Sequence, residues 1–250
     1  MKKKATFLST LVGVAMFFCL WQLAALLINR LILPGPIEVV PLFCKNVTGE
    51  LGLHFLASAG RVLAAVFLAT LFAAPLGLAL GQMPKLDRVI SPLIAIIYPI
   101  PKIIFLPVIY VLMGISDVSK ITLIAIIIFF QILVVVRDEA AGLKKELILS
   151  VKSLGAGRRA LFRYVYLPAS LPAVLTALRV SVGSAVAVLF IAEQSLTSYG
   201  LGYYIVIETY QVLLYPEMYT GIMGMGLLGV LLYFAIYAIE LKVSKHLFAA

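Results

Sequence analysis

VISPLIAIIYPIPKIIFLPVIYVLM, residues 89–113, carries one charged side chain, Lys102, and the prolines Pro92, Pro99, Pro101 and Pro107. A membrane-spanning helix needs about 20 mostly apolar residues, and this run is long enough. Each proline, however, removes a backbone donor and clashes with the carbonyl one turn back. The segment must therefore kink or break. Lipid-exposed irregular backbone is not tolerated in a bilayer, but a break inside a helical bundle is, because neighbours re-satisfy the freed carbonyls. The run reads as a broken span within a polytopic membrane protein.

The rest of the chain agrees. Hydrophobic residues make up 63% of it and charged residues 12%, against about 25% charged in an ordinary soluble domain. Five further runs reach spanning length: residues 5–28, 58–80, 118–136, 171–192 and 219–241. An all-α fold of six spans follows. The first run follows Lys2, Lys3 and Lys4 and is longer than the apolar core of a secretory signal, about 7–15 residues. It reads as a retained helix. The sequence divides into an N-terminal helix with its outer loop, residues 1–53, and a core, residues 54–245, that contains a long polar insertion at 138–168.

Orientation follows from the loop cations. With the N-terminus inside, the inner segments hold Lys2, Lys3, Lys4, Lys85, Arg88, Arg137, Lys144, Lys145, Lys152, Arg158, Arg159, Arg163, Lys242 and Lys245. The outer ones hold Arg30, Lys45, Arg61 and Lys120. Both termini are then cytoplasmic, and the net charge of +9 needs no nucleic acid. Cys19 and Cys44 do not suggest a disulfide, and two distant histidines, His54 and His246, offer no metal or catalytic spacing.

The 138–168 insertion is the longest inner stretch. Leu147, Ile148, Val151 and Leu154 share a face at helical spacing. Gly155 stands where a C′ glycine ends such a helix. A second short helix carries Leu161, Phe162 and Val165 opposite Arg158, Arg159 and Arg163, and Leu167-Pro168 closes the insertion before the fifth span. Two readings fit: a loop lying on lipid headgroups, or a docking surface for a cytosolic partner.

Gly155, nine residues, then Val165-Tyr166-Leu167-Pro168 matches the spacing of the pattern E-A-A-x3-G-x9-I-x-L-P. With Ser153-Leu154-Gly155-Ala156, Leu167-Pro168-Ala169-Ser170-Leu171-Pro172, Ala177-Leu178-Arg179-Val180, Ala192-Glu193, Pro99-Ile100-Pro101-Lys102-Ile103, Phe105-Leu106-Pro107 and Gly114, the chain resembles nitrate/sulfonate/taurine-type inner-membrane permeases of ATP-binding cassette (ABC) importers. The likeness covers roughly residues 54–241. One departure stands out. In register, the E-A-A positions are Leu149, Ser150 and Val151, so the motif glutamate is missing. The literal Glu139-Ala140-Ala141 lies ten residues too early to belong to that glycine.

The resemblance implies a permease that is not itself an enzyme and works in a bacterial inner membrane as a homodimer. An external solute-binding protein would deliver the solute and a separate ATPase would hold ATP and Mg. No cofactor is expected on this chain, which shows no G-x4-G-K-[ST]. The resemblance also implies that the insertion is the coupling helix, with Leu147, Val151, Leu154, Gly155, Ala156, Val165, Leu167 and Pro168 carrying the contact to the ATPase. The rival reading is a secondary transporter driven by an ion gradient, since broken helices mark those folds too.

Charges within spans cost about 2.5–3.5 kcal/mol on insertion scales, so Lys102, Arg179 and Glu193 need a reason. Arg179 and Glu193 are about 21 Å apart on one helix, at 1.5 Å per residue, and cannot pair. Each of the three either lines the translocation path or pairs with a neighbouring helix. Arg61 reads as a snorkelling anchor. Ala73, Gly77 and Gly81 form a small-residue stripe for close helix packing. Tyr199, Tyr203, Tyr204, Tyr210, Tyr215 and Tyr219 crowd the last outer loop, as an interfacial aromatic belt or as an outer gate or docking patch.

Overall fold

The computed structural model describes residues 2–194 and 197–243; Lys245 and His246 lie outside them, as do the side chains of Lys2, Lys3, Lys4, Lys145 and Arg158. Every regular element among these residues is helical. In chain order they are α1 Lys2–Ile28, α2 Pro36–Asn46, α3 Glu50–Gln82, α4 Pro84–Ile97, a 3-10 turn Lys102–Phe105 leading into α5 Leu106–Met113, and α6 Asp117–Ala141. There follow α7 Lys145–Ser153, α8 Arg158–Leu161, a π-helical turn Phe162–Tyr166, α9 Leu167–Glu193, α10 Leu201–Tyr203 with a second π-helical stretch Tyr204–Tyr210, and α11 Tyr215–Val243.

Among the described residues, four helical runs are long and apolar enough to cross a membrane: Glu50–Gln82, Asp117–Ala141, Arg159–Glu193 and Tyr215–Val243. Pro84–Ile97 and Lys102–Met113 make a fifth crossing bent by 82°. This is the break that the proline run predicts. The first expected run is helical throughout α1, with an apolar portion Val12–Ile28.

The ends follow from local chemistry. Pro36 and Pro84 open α2 and α4 at positions where the missing N–H costs nothing. Gly114 ends α5 with φ +73°, a conformation that glycine adopts without a Cβ clash. Ser116 and Ser119 form a reciprocal capping box at the start of α6.

The chain forms two compact units, Met1–Ser58 with Glu193–Gly226, and Ala59–Ala192 with Leu227–Ala250. In the second, α6 supplies the core stripe: Leu123, Ile124, Ile128, Ile132, Leu133, Val136 and Ala140 are all buried. The stripe of α3 packs on it. A Cβ on Gly81 would stand 2.5 Å from the Arg137 carbonyl oxygen and 2.6 Å from the Ala140 Cβ; one on Gly77 would stand 3.0 Å from the Leu133 carbonyl oxygen. The small residues thus serve packing within the monomer. Glu139-Ala140-Ala141 forms the last turn of α6, with Ala140 buried and its carbonyl accepting from the Gln82 side chain. Arg137 clamps Asp87 of α4 through two hydrogen bonds, 2.5 and 2.9 Å.

Two outer-side expectations change. Arg61 does not snorkel: it is buried and reaches Asp117 at 2.7 Å. Lys120 is not in a loop but buried in the first turn of α6, 3.9 Å from the same carboxylate. A buried cation is tolerated when an anion shares its site, and Asp117 serves both.

In the first unit, the Trp21 indole donates to the Pro34 carbonyl at 3.0 Å and stacks on Tyr219 with ring centroids 5.9 Å apart. Cys19 and Cys44 are free thiols.

Candidate functional site

α7 begins after Lys144 and carries Glu146 in its first turn and Lys152 in its last, both matched to the helix dipole. The helix stops at Ser153. Leu154 is its cap and Gly155, the C′ residue, has φ +82° and donates to the Lys152 carbonyl at 2.9 Å. The expected apolar stripe divides. Ile148 and Val151 are half-buried, whereas Leu147 and Leu154 are exposed, the latter 86%. Leu149, at the position of the missing motif glutamate, is exposed as well. Ala156 is half-buried in the turn to α8. α7 packs against α8 and the π turn that follows it.

The second expected helix is not a separate piece, and Leu167-Pro168 does not close the insertion. α8, the π turn and α9 run on as one 35-residue apolar helix, Arg159–Glu193. Pro168 lacks an N–H and crowds the carbonyl four residues back. The chain answers by widening the turn ahead of it, so that the Leu167 N–H reaches the Phe162 carbonyl five residues back, a π-bulge rather than a stop. Leu161 and Val165 are buried, while Phe162 faces outward with Leu167 and Pro168.

Lys102, Arg179 and Glu193, the charges expected within spans, all have partners. Lys102 sits at the break between α4 and α5. Its ammonium donates to the carbonyls of Ile97, Tyr98 and Ile100 at 3.2, 2.8 and 3.1 Å. Pro99 and Pro101 interrupt the regular helix there, and one ammonium with three donors meets three carbonyls at the break; that of Ile97 also accepts from the Ile100 N–H at 3.2 Å. Its charge also faces the rings of Phe130 and Tyr98, 4.9 and 5.4 Å from their centroids. Lys102 lines an open cavity of about 460 Å³ together with Tyr98, Phe130, Gln131 and Ser184. Arg179 pairs with Glu240 of α11 at 2.9 Å and donates to the Tyr233 hydroxyl at 2.9 Å. The Thr176 hydroxyl donates to the same Glu240 at 2.7 Å.

Glu193 is fully buried. The Ser58 hydroxyl lies 2.7 and 2.9 Å from its two oxygens, and the Gly202 N–H donates to it at 3.0 Å. Ser58 in turn accepts from the Leu201 N–H at 2.8 Å, and His54 Nδ1 accepts from the Gly200 N–H at 3.0 Å. Three consecutive backbone donors at the start of the 201–210 helix are thus captured by buried side chains of α3 and α9. The other nitrogen of His54, Nε2, lies 3.1 Å from Glu208, an arrangement that suits the neutral tautomer with its proton on Nε2. Tyr199, Tyr203 and Tyr204 surround the imidazole with centroids 5.7, 6.1 and 5.3 Å away. Burial pushes the Tyr204 hydroxyl up from its ordinary value, against a lowering hydrogen bond from Thr220. These tyrosines wrap a buried histidine, which a belt along the bilayer surface would not do.

His54, Ser58, Asp117, Glu208 and Glu240 escaped the reading of the sequence. His54 and Ser58 had a signal: polar residues four apart on one face of an otherwise apolar helix. Glu240 had one too, an acid inside the last apolar run, at a helix distance that sequence alone could not match to Arg179.

The fold defines a class. A solved chain of the MetNI methionine ABC transporter, in an inward-facing conformation, superposes with a TM-score of 0.62 over 78% of this chain and 96% of its own, at 20% identity. The two chains share an all-helical fold. Residues 69–246 match the model of the binding-protein-dependent transport system inner membrane component family, and the chain belongs to that family. The taurine transport system permease protein TauC of Escherichia coli K12 is 33% identical over 73% of this chain and 69% of its own length. The putative aliphatic sulfonates transport permease protein SsuC of Bacillus subtilis 168 is 25% identical over 98% and 89%. The family is one of transport permeases of the inner membrane, so the ion-driven carrier reading is set aside.

Proposed function

We propose that two copies of this chain line one translocation path, that an external solute-binding protein presents the solute, and that α7 receives the stroke of a cytosolic ATPase. ATP and Mg belong to that ATPase and no cofactor to this chain. The loop-cation bias supports cytoplasmic termini and a cytoplasmic α7.

The observation that carries the reading is an ordered helix whose apolar side chains are left uncovered beside water-loving flanks. Leu147 and Leu154, with Leu149, would form the contact. Gly155 and Ala156 make the stop that fixes its angle. α7 packs on the π turn, where Val165 is buried, and its own Val151 is half-buried. Leu167 and Pro168 lie where that turn enters α9, so a push on α7 is delivered to a continuous 35-residue lever. A rigid element on a rigid lever is what converts ATPase closure into a two-state change of the membrane gate. Of the three charges within spans, Lys102 faces a cavity, whereas Arg179 and Glu193 are committed to packing partners.

Gly155→Val tests the assignment. A Cβ at Gly155 meets nothing within 4 Å, so the only cost is the φ of +82°, about 1–2 kcal/mol. The variant is expected at normal abundance in the membrane, with weakened co-purification of the ATPase and no ATP-driven uptake. Association and uptake both at the level of the unaltered protein would remove the coupling role from α7.

A further inference from the structure

The polar insertion leaves two surfaces of different chemistry uncovered. On α7 they are aliphatic: Leu147, Leu149 and Leu154. On the first turns of the 35-residue helix that follows they are cations and rings. Arg159, Phe162, Arg163 and Tyr164 are exposed, Tyr164 by 70%, while Leu161 and Val165 of the same turns are buried. Among the described residues, Arg159 and Arg163 form no ion pair and no hydrogen bond. Nor does the chain offer them an acid nearby, for no Asp or Glu occurs between Glu146 and Glu193.

Length places these turns. Thirty-five residues of helix are about 52 Å long at 1.5 Å per residue. A bilayer is about 40–45 Å thick with its headgroups, and about 30 Å of that is hydrocarbon. The helix outruns the hydrocarbon, so its first turns cross a headgroup layer, on the reading of the loop cations the inner one. Aromatic rings and arginines together suit that layer. The rings sit at its apolar edge, and a guanidinium stays charged and meets phosphate oxygens with paired donors. Arg159 and Arg163 are four residues apart, the helical spacing that brings two side chains to one patch.

We propose that this end of the helix binds an anionic phospholipid of the inner leaflet. Arg159 and Arg163 take the headgroup phosphate, and Phe162 and Tyr164 meet the glycerol and upper acyl chains. The lipid anchors the inner end of the helix beside α7. Arg179, further along, has no part, because it is spent on Glu240 and Tyr233. The proposal rests on the membrane placement of the helix and not on the role given to α7.

Lipid contact read at one position tests it. Phe162→Cys, in a chain with Cys19→Ser and Cys44→Ser, is labelled with bimane and reconstituted in phosphatidylcholine vesicles, with and without the ATPase. The quenchers are phosphatidylglycerol and phosphatidylcholine, each carrying a nitroxide high on an acyl chain. Both are expected to quench, and the anionic lipid is expected to occupy the position at least about fivefold more readily, the weight of one arginine near an anionic surface. Arg159→Gln with Arg163→Gln brings that ratio to one, and lysine at both positions keeps it above one. Inorganic phosphate leaves the ratio where chloride of equal ionic strength does. No quenching by either lipid would take the turns out of the bilayer and overturn the proposal. So would a ratio of one with both arginines in place, whether or not the double variant folds. Quenching lost when the ATPase binds would assign this face to the ATPase, and a phosphate effect beyond that of chloride would assign the arginines to a free anion; either overturns the proposal. All four failures leave the α7 assignment to its own test, since Gly155→Val is read by ATPase association and uptake.

Discussion

α7, Lys145–Ser153, and the helix formed by Leu201–Tyr203 with Tyr204–Tyr210 are both short, both lie outside the long apolar runs, and are held in opposite ways. α7 is held by its own sequence: Glu146 in its first turn and Lys152 in its last, a glycine in a left-handed conformation, and one supporting surface. Its leucines stay uncovered. The helix that begins at Leu201 owes almost nothing to its own residues. Its first backbone donors are captured by His54, Ser58 and Glu193, each 3% exposed or less. A segment that meets a partner, as proposed for α7, would be stabilised locally and leave its contact face free. A segment built to stay is stitched from outside, and its polar groups are spent. The difference teaches where mutations should be felt as lost stability and where as lost function.

The largest stability effect is expected at Glu193. Glu193→Ala leaves the Ser58 hydroxyl and the Gly202 N–H buried without an acceptor, at about 1–3 kcal/mol each. Denaturation of the purified protein in detergent should show a loss of about 3 kcal/mol, and Glu193→Gln, which keeps a carbonyl acceptor, should recover part of it. Equal stability in both variants would mean that the 201–210 helix does not depend on this stitch.

His54→Phe comes next. The ring still fits among the three tyrosines, but the Gly200 N–H loses its acceptor, a loss of about 2 kcal/mol. A stability change under 0.5 kcal/mol would show that water replaces the imidazole there.

On the α7 side the stability effects shrink while the functional ones do not. Gly155→Asn sharpens the Gly155→Val test, because asparagine enters the left-handed region more readily than other non-glycine residues. It should retain more ATP-driven uptake than Gly155→Val. Leu154→Ser should change stability by less than about 0.5 kcal/mol, as expected of an exposed position, yet weaken ATPase co-purification. A Leu154→Ser variant that bound the ATPase normally would move the contact to Leu147 and Leu149.

The sequence was informative wherever the physics is local or periodic. Apolar run length and the four prolines gave the crossings and the break at residues 98–101. The spacing of Leu147 to Gly155 gave α7 and its stop, and Ala73, Gly77 and Gly81 gave a close helix contact. It misled where the local rule met a longer-range answer. Leu167-Pro168 reads as a terminator, but the π turn beside it absorbs the missing donor and the helix continues. Arg61 reads as an anchor near an interface, but a carboxylate 56 residues away draws it inside.

What the sequence determined by itself is therefore the class of the molecule: an all-helical membrane permease with one exposed, glycine-stopped helix. Those features depend on residue type, spacing and backbone freedom, all written along the chain. Only the tertiary structure decided the partners of its polar groups: Asp117 for Arg61, Glu240 for Arg179, Ser58 and Gly202 for Glu193, Ser184 for Gln131. A buried polar group must be satisfied by something, but burial fixes only the need. The partner is whichever donor or acceptor the packing of separate helices brings within about 3 Å, and no spacing along one chain encodes that distance.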